Sequence, residues 1–438
     1  MDGGPGQRHR NFLILQGVAS RFFARLGTAL EARGHGVKRI NFHAGDWFFG
    51  PLAGAHHYRG RAASWPDYLE ARLREWNITD IILFGDCRPI HAAAIAVARK
   101  RDIPFFVFEE GYLRPNWITL EQGGTNGYST LPKDPAWYHQ AARDLPPWQD
   151  GAKTRMSLWS LGVQDVAYNV SGMVFGALYP FYRWHRPVYP AFEYMGWIAR
   201  LARIKLLDGA RLSAGLSAVA RASTYYLFPL QLEGDTQIRE HFAAKKVMPA
   251  IKSVIESFAR SAPKDALLVV KEHPLDNGLR NWRKRVFKHA RRQGIEERLV
   301  YLPGGDLDTL VKGARGVVTI NSTVGVRALV LNRPLTTLGK AIYNIPGLTF
   351  QGPLDRFWTE SVPPDAKLYD AFSRVLLSRC LVNGNFYSKA GIEMAVAGSV
   401  TRLEAHPQRF AEPKLAVLST AEPELHPGLM TDRFAIGR

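Results

Sequence analysis

The feature that most constrains this chain is the alternation of two hydrophobic periods. In the first half, short apolar runs read as buried strands: "NFLILQGV" (11–18), "VKRINF" (37–42), "DIILFGD" (80–86) and a segment at 104–110 that contains "FFVFEE". Between them, "SRFFARLGTALEARG" (20–34), "DYLEARLREWN" (67–77) and "PIHAAAIAVARKRD" (89–102) space apolar residues three and four apart, as amphipathic helices do. The order resumes with strands expected at 224–231, 266–274, 298–304, 316–322 and 334–339, and with helices over 247–262 and 323–332. Strands separated by helices predict parallel sheets covered on both faces. At 438 residues the chain exceeds what one core absorbs, so it reads as two doubly wound α/β halves. The expected division is a Rossmann-like domain over 1–150, a helical insertion over 151–210, a second Rossmann-like domain over 211–400 and a surface extension over 401–438.

Composition removes several classes of function. A hydrophobic content of 46% against 22% charged residues describes a globular chain and excludes a disordered one. The net charge of +18 favours an anionic partner, whether nucleic acid, phosphorylated substrate or anionic membrane, with simple solubility and a compositional bias toward Arg as the other reading. Nucleic acid is not expected, because there is no zinc-finger spacing, no RNP-like strand and no concentrated basic block. Cys87 and Cys380 are the only cysteines, so neither a disulfide framework nor a cysteine-based zinc site is expected, which fits a reducing compartment. The start "MDGGPGQRHR" has no apolar leader. The longest uncharged run, Val166 to Tyr182, contains Asn, Ser, Gly and Pro and falls short of the ~20 apolar residues of a spanning helix. The expectation is a cytosolic protein lying against a membrane.

The region from about 150 to 210 has a different character, with "YPFYRWHRPVYPAFEYMGWIARLARIKLL" rich in aromatics and arginine. A helix over 190–207 would carry Trp197, Ile198, Leu201 and Ile204 on one face, with Arg200, Arg203 and Lys205 nearby. Two readings stand: a helical hairpin packed between the halves, or an interfacial patch suited to anionic lipid.

Chemistry in an open α/β sheet lies beyond the carboxyl ends of the strands. Here those ends carry Gln16 and Gly17, then Asp86 and Arg88, then Glu109, Glu110, Gly111, Tyr112 and Arg114. In the second half they carry Gln231, then Lys271, His273 and Pro274, then Asn321, Ser322, Thr323 and Gly325. Successive residues of a strand face opposite sides, so one of Glu109 and Glu110 can enter a crevice while the other braces the loop. Such a carboxylate can serve as acid, base or nucleophile. By the same alternation Lys271 and His273 would share a face and bind phosphate or ribose. The "NSTVG" step, 321–325, would cap a helix, either as a plain structural cap or as a phosphate site at the helix start with Gly325 letting the ligand approach the backbone. Neither a GxGxxG fingerprint nor a P-loop is present, and no second ligand stands at metal spacing near His273.

The acidic-acidic-Gly step, the later His-Pro and the Ser/Thr helix start together resemble the bacterial GT-B sialyltransferases and Kdo transferases that use CMP-activated sugars. More closely, the chain resembles the KpsS/LipB capsule polysaccharide biosynthesis family in "GDCRPIH", "FEEGYLRPNWITLE", "PLQLEGDTQIREH", "KEHPLDNG" and "NSTVGVRALVLNRPLTTLGKAIYNIPGLT", and in the opening stretch from Phe12 to Asp46. The resemblance implies a GT-B-like pair of domains facing a central cleft. It implies a retaining β-Kdo transferase that moves Kdo from CMP-Kdo to a phosphatidylglycerol-type lipid at the inner face of the cytoplasmic membrane, with no metal or other cofactor. An inverting CMP-sugar transferase, or a non-catalytic capsule assembly and export adaptor, are the alternatives. By position Glu110 matches the reacting carboxylate with Glu109 its neighbour, His273 and Pro274 match the CMP-binding step, and Ser322 with Thr323 the phosphate step.

Overall fold

The computed structural model describes residues 9–113, 116–154, 158–184 and 190–405. Among these residues the strands are β1 (Asn11–Ile14), β2 (Gly36–Asn41), β3 (His56–His57), β4 (Asp80–Phe84), β5 (Phe105–Glu110), β6 (Trp117–Gln122), β7 (Tyr225–Pro229), β8 (Leu267–Lys271), β9 (Leu299–Leu302), β10 (Gly316–Thr319), β11 (Leu335–Thr337) and β12 (Leu381–Asn383). They form a sheet ordered β12-β6-β5-β4-β1-β2-β3 and a second ordered β11-β10-β7-β8-β9. The second sheet is parallel throughout, and the first is parallel from β3 to β5. Each apolar run expected as a strand is one, shortened by a few residues where polar groups begin.

Alternation within each strand fills both faces. In the first sheet Phe12, Ile14, Ile82, Phe106 and Phe108 enter one core, while Leu13, Leu15, Ile81, Leu83, Phe105 and Val107 enter the other. In the second sheet Tyr226, Phe228, Leu268 and Val270 face one side, and Tyr225, Leu227 and Val269 face the other. The helix Val247–Ser261 covers one of these faces with Val247, Ala250, Ile251, Val254, Ile255 and Phe258, the three-and-four spacing of an amphipathic helix.

The expected domain limits need correction at three points. β6 turns back antiparallel on β5, and β12 adds antiparallel to β6, so residues near 381 return to the first sheet. The following helix, Lys389–Glu404, packs on the helix Phe22–Ala32, so the second unit ends near 380 and not at 400. The helix Pro135–Ala141 packs on the helix Ala366–Arg379, so the end of the stretch assigned to the first domain belongs with the second sheet's core. The helical insertion runs on through Gly209–Arg221 before β7 begins. Of the expected extension, 406–438 lies outside the described residues. No helix among the described residues is long and apolar enough to cross a membrane.

Candidate active site

In each sheet the strand order reverses once. The first chain segment steps outward from β1 to β2 and β3, then returns to β4 and β5 on the other side. The second steps from β7 to β8 and β9, then returns to β10 and β11. Such reversals leave a crevice beyond the strand ends, because the two connections leave in opposite directions. Both crevices are tied by side chains. Arg88 Nη1 donates to Gln16 Oε1 at 3.0 Å and to the Gly17 carbonyl at 3.1 Å. Gln231 Nε2 donates to Asn321 Oδ1 at 2.9 Å, and the Asn321 N–H donates back to Gln231 Oε1 at 3.0 Å. The two crevices open into a single cavity of about 220 Å³.

One wall comes from the first sheet: Gly85, Asp86, Arg88, Glu109, Glu110 and Tyr112. Glu109 and Glu110 end β5 opposite Thr119 and Ile118 of β6. Burial pushes the Glu109 carboxyl up to about 7; the Glu110 N–H, donating at 3.2 Å, opposes this, and the charges of Glu110, Asp86 and Asp235 add to it. Glu110 Oε1 accepts a hydrogen bond from the Tyr387 hydroxyl at 2.8 Å. Asp86 Oδ2 accepts from the Thr125 N–H at 2.8 Å. Tyr112 donates to Glu121 at 2.6 Å and accepts from the Asn126 N–H at 2.6 Å, which fixes the loop beneath the carboxylates. Gly111 does not line the cavity; a Cβ there would stand 2.0 Å from the Trp117 carbonyl oxygen, so the β5–β6 approach requires glycine. Gln16 and Gly17 reach the site only through Arg88, and Arg114 lies outside the described residues.

The second wall holds Gln231, His273, Asn321, Ser322 and Thr323. His273 Nδ1 accepts from the Leu275 N–H at 3.0 Å, which leaves the neutral ring's proton on Nε2. Lys271 departs from expectation: it is buried outside the cavity lining, 3.4 Å from the Glu272 carbonyl, and burial pulls its pKa down while Glu272 opposes. The alternation that would align it with His273 fails because β8 ends at Lys271. Pro274 is likewise not among the lining residues. Ser322 Oγ accepts from the Val324 N–H at 3.2 Å, while Thr323, at the N-cap of the helix Val324–Val330, makes no side-chain cap. Gly325 has another role than the one expected. A Cβ there would meet the Tyr343 hydroxyl at 2.2 Å, and that hydroxyl donates to the Ser322 carbonyl, so the glycine seats a tyrosine and not a ligand.

Five further lining residues have no place among the strand ends: Asn126, Asp235, Thr236, Gln237 and Tyr343. Asp235 caps the helix Thr236–His241 by accepting from the Gln237 N–H at 2.9 Å, a signal readable in "GDTQ". Asn126 bridges the two lobes, donating to Gln237 Oε1 and accepting from the Ile342 N–H at 2.9 Å. No local pattern marks a contact of that sequence separation. Beside the cavity, Asp86, Cys87 and His241 bring their ligand atoms within 4.8 Å of one another. Cys87 donates to Asp86 at 3.0 Å and stands 3.7 Å from His241 Nε2. Burial and the Asp86 charge push the thiol's pKa up, so a metal would have to displace its proton to bind.

Two lobes built on largely parallel sheets, with their strand ends meeting across a polar cleft, make this a GT-B-like α/β protein. The chain belongs to the capsule polysaccharide biosynthesis protein family, whose model matches residues 79–387. It is 36% identical over 380 residues to the capsule polysaccharide export protein KpsS of Escherichia coli, covering 86% of this chain and 97% of that one. It is 33% identical over 389 residues to the capsule polysaccharide modification protein LipB of Neisseria meningitidis serogroup B, covering 86% of this chain and 92% of that one. Among solved structures, Thermosulfurimonas dismutans KpsC, a beta Kdo 2,7 transferase, matches over 90% of this chain and 100% of that one, with a TM-score of 0.40 and 14% identity.

Proposed function

We propose that the protein is a glycosyltransferase of capsule biosynthesis that moves Kdo from CMP-Kdo to a phosphatidylglycerol-type lipid at the inner face of the cytoplasmic membrane, with retention and a β-linkage. One observation carries this reading: carboxylates from the first lobe and imidazole, hydroxyl and amide donors from the second line the same cavity. In the proposed first step the Glu110 carboxylate attacks the anomeric carbon and the bond to the CMP phosphate breaks, with CMP leaving as the anion. His273 Nε2–H and the Ser322 and Thr323 hydroxyls stabilise the negative charge that grows on the departing phosphate. In the second step Glu109, whose pKa of about 7 suits a base at neutral pH, takes the proton of the lipid hydroxyl. The hydroxyl oxygen then attacks the anomeric carbon and Glu110 is released, so two inversions give net retention. Tyr387 holds Glu110 in place through its hydrogen bond. No metal or other cofactor is needed in this scheme.

A cavity of about 220 Å³ is below the ~300–1,000 Å³ typical of small-molecule sites. Admission of a nucleotide sugar therefore requires the lobes to part. The contacts that would break are those of Asn126 with Gln237 and Ile342.

The test is incubation of the purified chain with CMP-Kdo and a fluorescent phosphatidylglycerol analogue, read by mass spectrometry. The expected product is the lipid carrying one or more Kdo residues, with release of CMP. Absence of both transfer and CMP release overturns the reading. The product's anomeric configuration, read by NMR, separates retention from inversion.

A further inference from the structure

Two of the helices that precede β7 turn an apolar stripe outward, whereas Gly209–Arg221 packs Leu212 and Val219 against the second sheet's core. In Pro190–Arg203, Phe192, Met195, Ile198 and Leu201 recur every third residue and stand in solvent, Ile198 at 70% exposure. Arg200 is only 4% exposed and lies 3.6 Å from Glu272. Arg203 donates to Glu272 at 2.6 Å and to Asp208 at 3.1 Å. The π-turn Ile204–Asp208 extends the exposed apolar surface through Leu206, at 79%, and Leu207. Arg200 and Arg203 face the protein while the apolar stripe faces water, with Lys205 exposed beside it, the reverse of the helix of a soluble domain.

The helix Leu158–Val174 repeats the arrangement on the other lobe. Val163, Val166, Val170 and Val174 form one exposed stripe, continued by Phe175 and by Phe48, whose ring stacks on Phe175 at 6.3 Å. This helix packs on Ala44–Phe49 of the first lobe. The helix Pro190–Arg203 instead rests on the second, where Arg200 Nη2 donates to the His273 carbonyl at 3.3 Å and a Cβ at Gly196 would collide with the Asn277 carbonyl and Leu279. The hairpin packed between the two halves, expected as one reading of the sequence, is therefore not what forms: these stripes lie outside.

Beside the second helix is a cavity of about 730 Å³, walled by Arg203 and Arg211 on one side and by the helix Trp282–Arg292 on the other. Its carboxylates are already engaged. Arg203 holds Glu272 and Asp208, and Arg291 holds Glu296 at 2.7 Å. Arg283, Lys284 and Lys288 line the same cavity with no carboxylate partner among the described residues, so it carries a positive excess.

We propose that this face is a docking surface for an anionic phospholipid membrane, with the apolar stripe from Phe192 to Leu207 entering the headgroup layer and the cavity beside Trp282–Arg292 seating a lipid phosphate. Charge complementarity selects this occupant. A second copy of the chain would bring the same cations and a net charge of +18, whereas an anionic bilayer supplies hydrocarbon and negative charge together. The surface extends the membrane part of the function proposed above and does not rest on the sugar chemistry.

The test is sedimentation of the full chain with vesicles of phosphatidylcholine alone and of phosphatidylcholine mixed with phosphatidylglycerol. Binding is expected to the mixed vesicles, weak to the neutral ones, and reduced by salt. The double variant Ile198→Glu, Leu206→Glu should fall to background on both. The double variant Lys284→Glu, Lys288→Glu should lose about tenfold or more of its affinity for the mixed vesicles alone. All four positions lie on the surface, and circular dichroism verifies that the variants fold. Three results would overturn the proposal: undiminished vesicle binding by the Ile198→Glu, Leu206→Glu variant; binding of inorganic phosphate without binding of vesicles; or a concentration-dependent dimer, seen by sedimentation velocity, that this variant abolishes. CMP affinity measured on the same variants tests the transferase reading and not this one.

Discussion

The two walls of the cleft are built alike and charged differently. Each lies at the point where its sheet reverses strand order, and each is braced by a side-chain pair, Arg88 with Gln16 and Gln231 with Asn321. Yet the first wall gathers Asp86, Glu109 and Glu110, while strand ends of the second present His273, Asn321, Ser322 and Thr323. On the proposed function, the first wall would give and take protons and the second would hold the departing phosphate. The contrast is not absolute, since Arg88 lines the first wall and Asp235 the second. That proposed division of labour would make the function depend on both lobes.

The comparison breaks most visibly at Glu110. Its replacement by Gln should lower turnover by about 10²–10⁴-fold while CMP affinity stays within a few fold, as transfer assays and calorimetry would read. Near-normal turnover would remove Glu110 from the chemistry. Glu109 tests the first wall through pH. Burial keeps its carboxyl protonated up to about pH 7, while in the unfolded chain the proton leaves near the ordinary value of 4.5. Between these values the folded state binds the extra proton, so its contribution to stability falls as pH rises and is fully lost above about 7. Gln carries no such proton. The Glu109→Gln protein should thus gain on wild type by on the order of 3 kcal/mol between pH 4.5 and 8, read from melting curves. Parallel curves would mean that Glu109 is not held neutral. If Glu109 is the base, wild-type turnover should also rise through pH 7 and the variant's should not.

The second wall gives smaller effects. Gly325→Ala should cost about 1–3 kcal/mol, because the new Cβ must displace Tyr343, with turnover of the folded fraction little changed. A selective loss of CMP binding at full stability would restore Gly325 as a ligand-approach position. His273→Ala should weaken CMP by about tenfold and leave turnover at saturating donor within a few fold. A fall in saturated turnover equal to that of Glu110→Gln would erase the distinction between the walls.

Most of the fold was legible because buried strands and amphipathic helices leave different periods, and both sheets follow them. The exceptions share a cause. In β6, Thr119 and Glu121 are as buried as Ile118 and Leu120, so polarity did not report burial. β12 is three residues long and pairs with a strand far away in sequence, which no local period records. The site was legible where it sits on strand ends, since sheet geometry sends those residues to the crevice. It was not legible in Asn126 or Tyr343, which come from loops and reach the cleft only when the lobes meet. Lys271 and Gly325 show the complementary error. Their residue types suit an anion site, but an early strand end and a neighbouring ring give them structural work.

The central claim is that a single ligand touches both walls at once. Hydrogen-exchange mass spectrometry of the full chain with and without CMP-Kdo tests it most directly. Slower exchange is expected in peptides over 84–88 and 109–112 of the first lobe together with 272–275 and 321–325 of the second. Protection confined to one lobe, or found only at 282–292 beside the outer cavity, would contradict it.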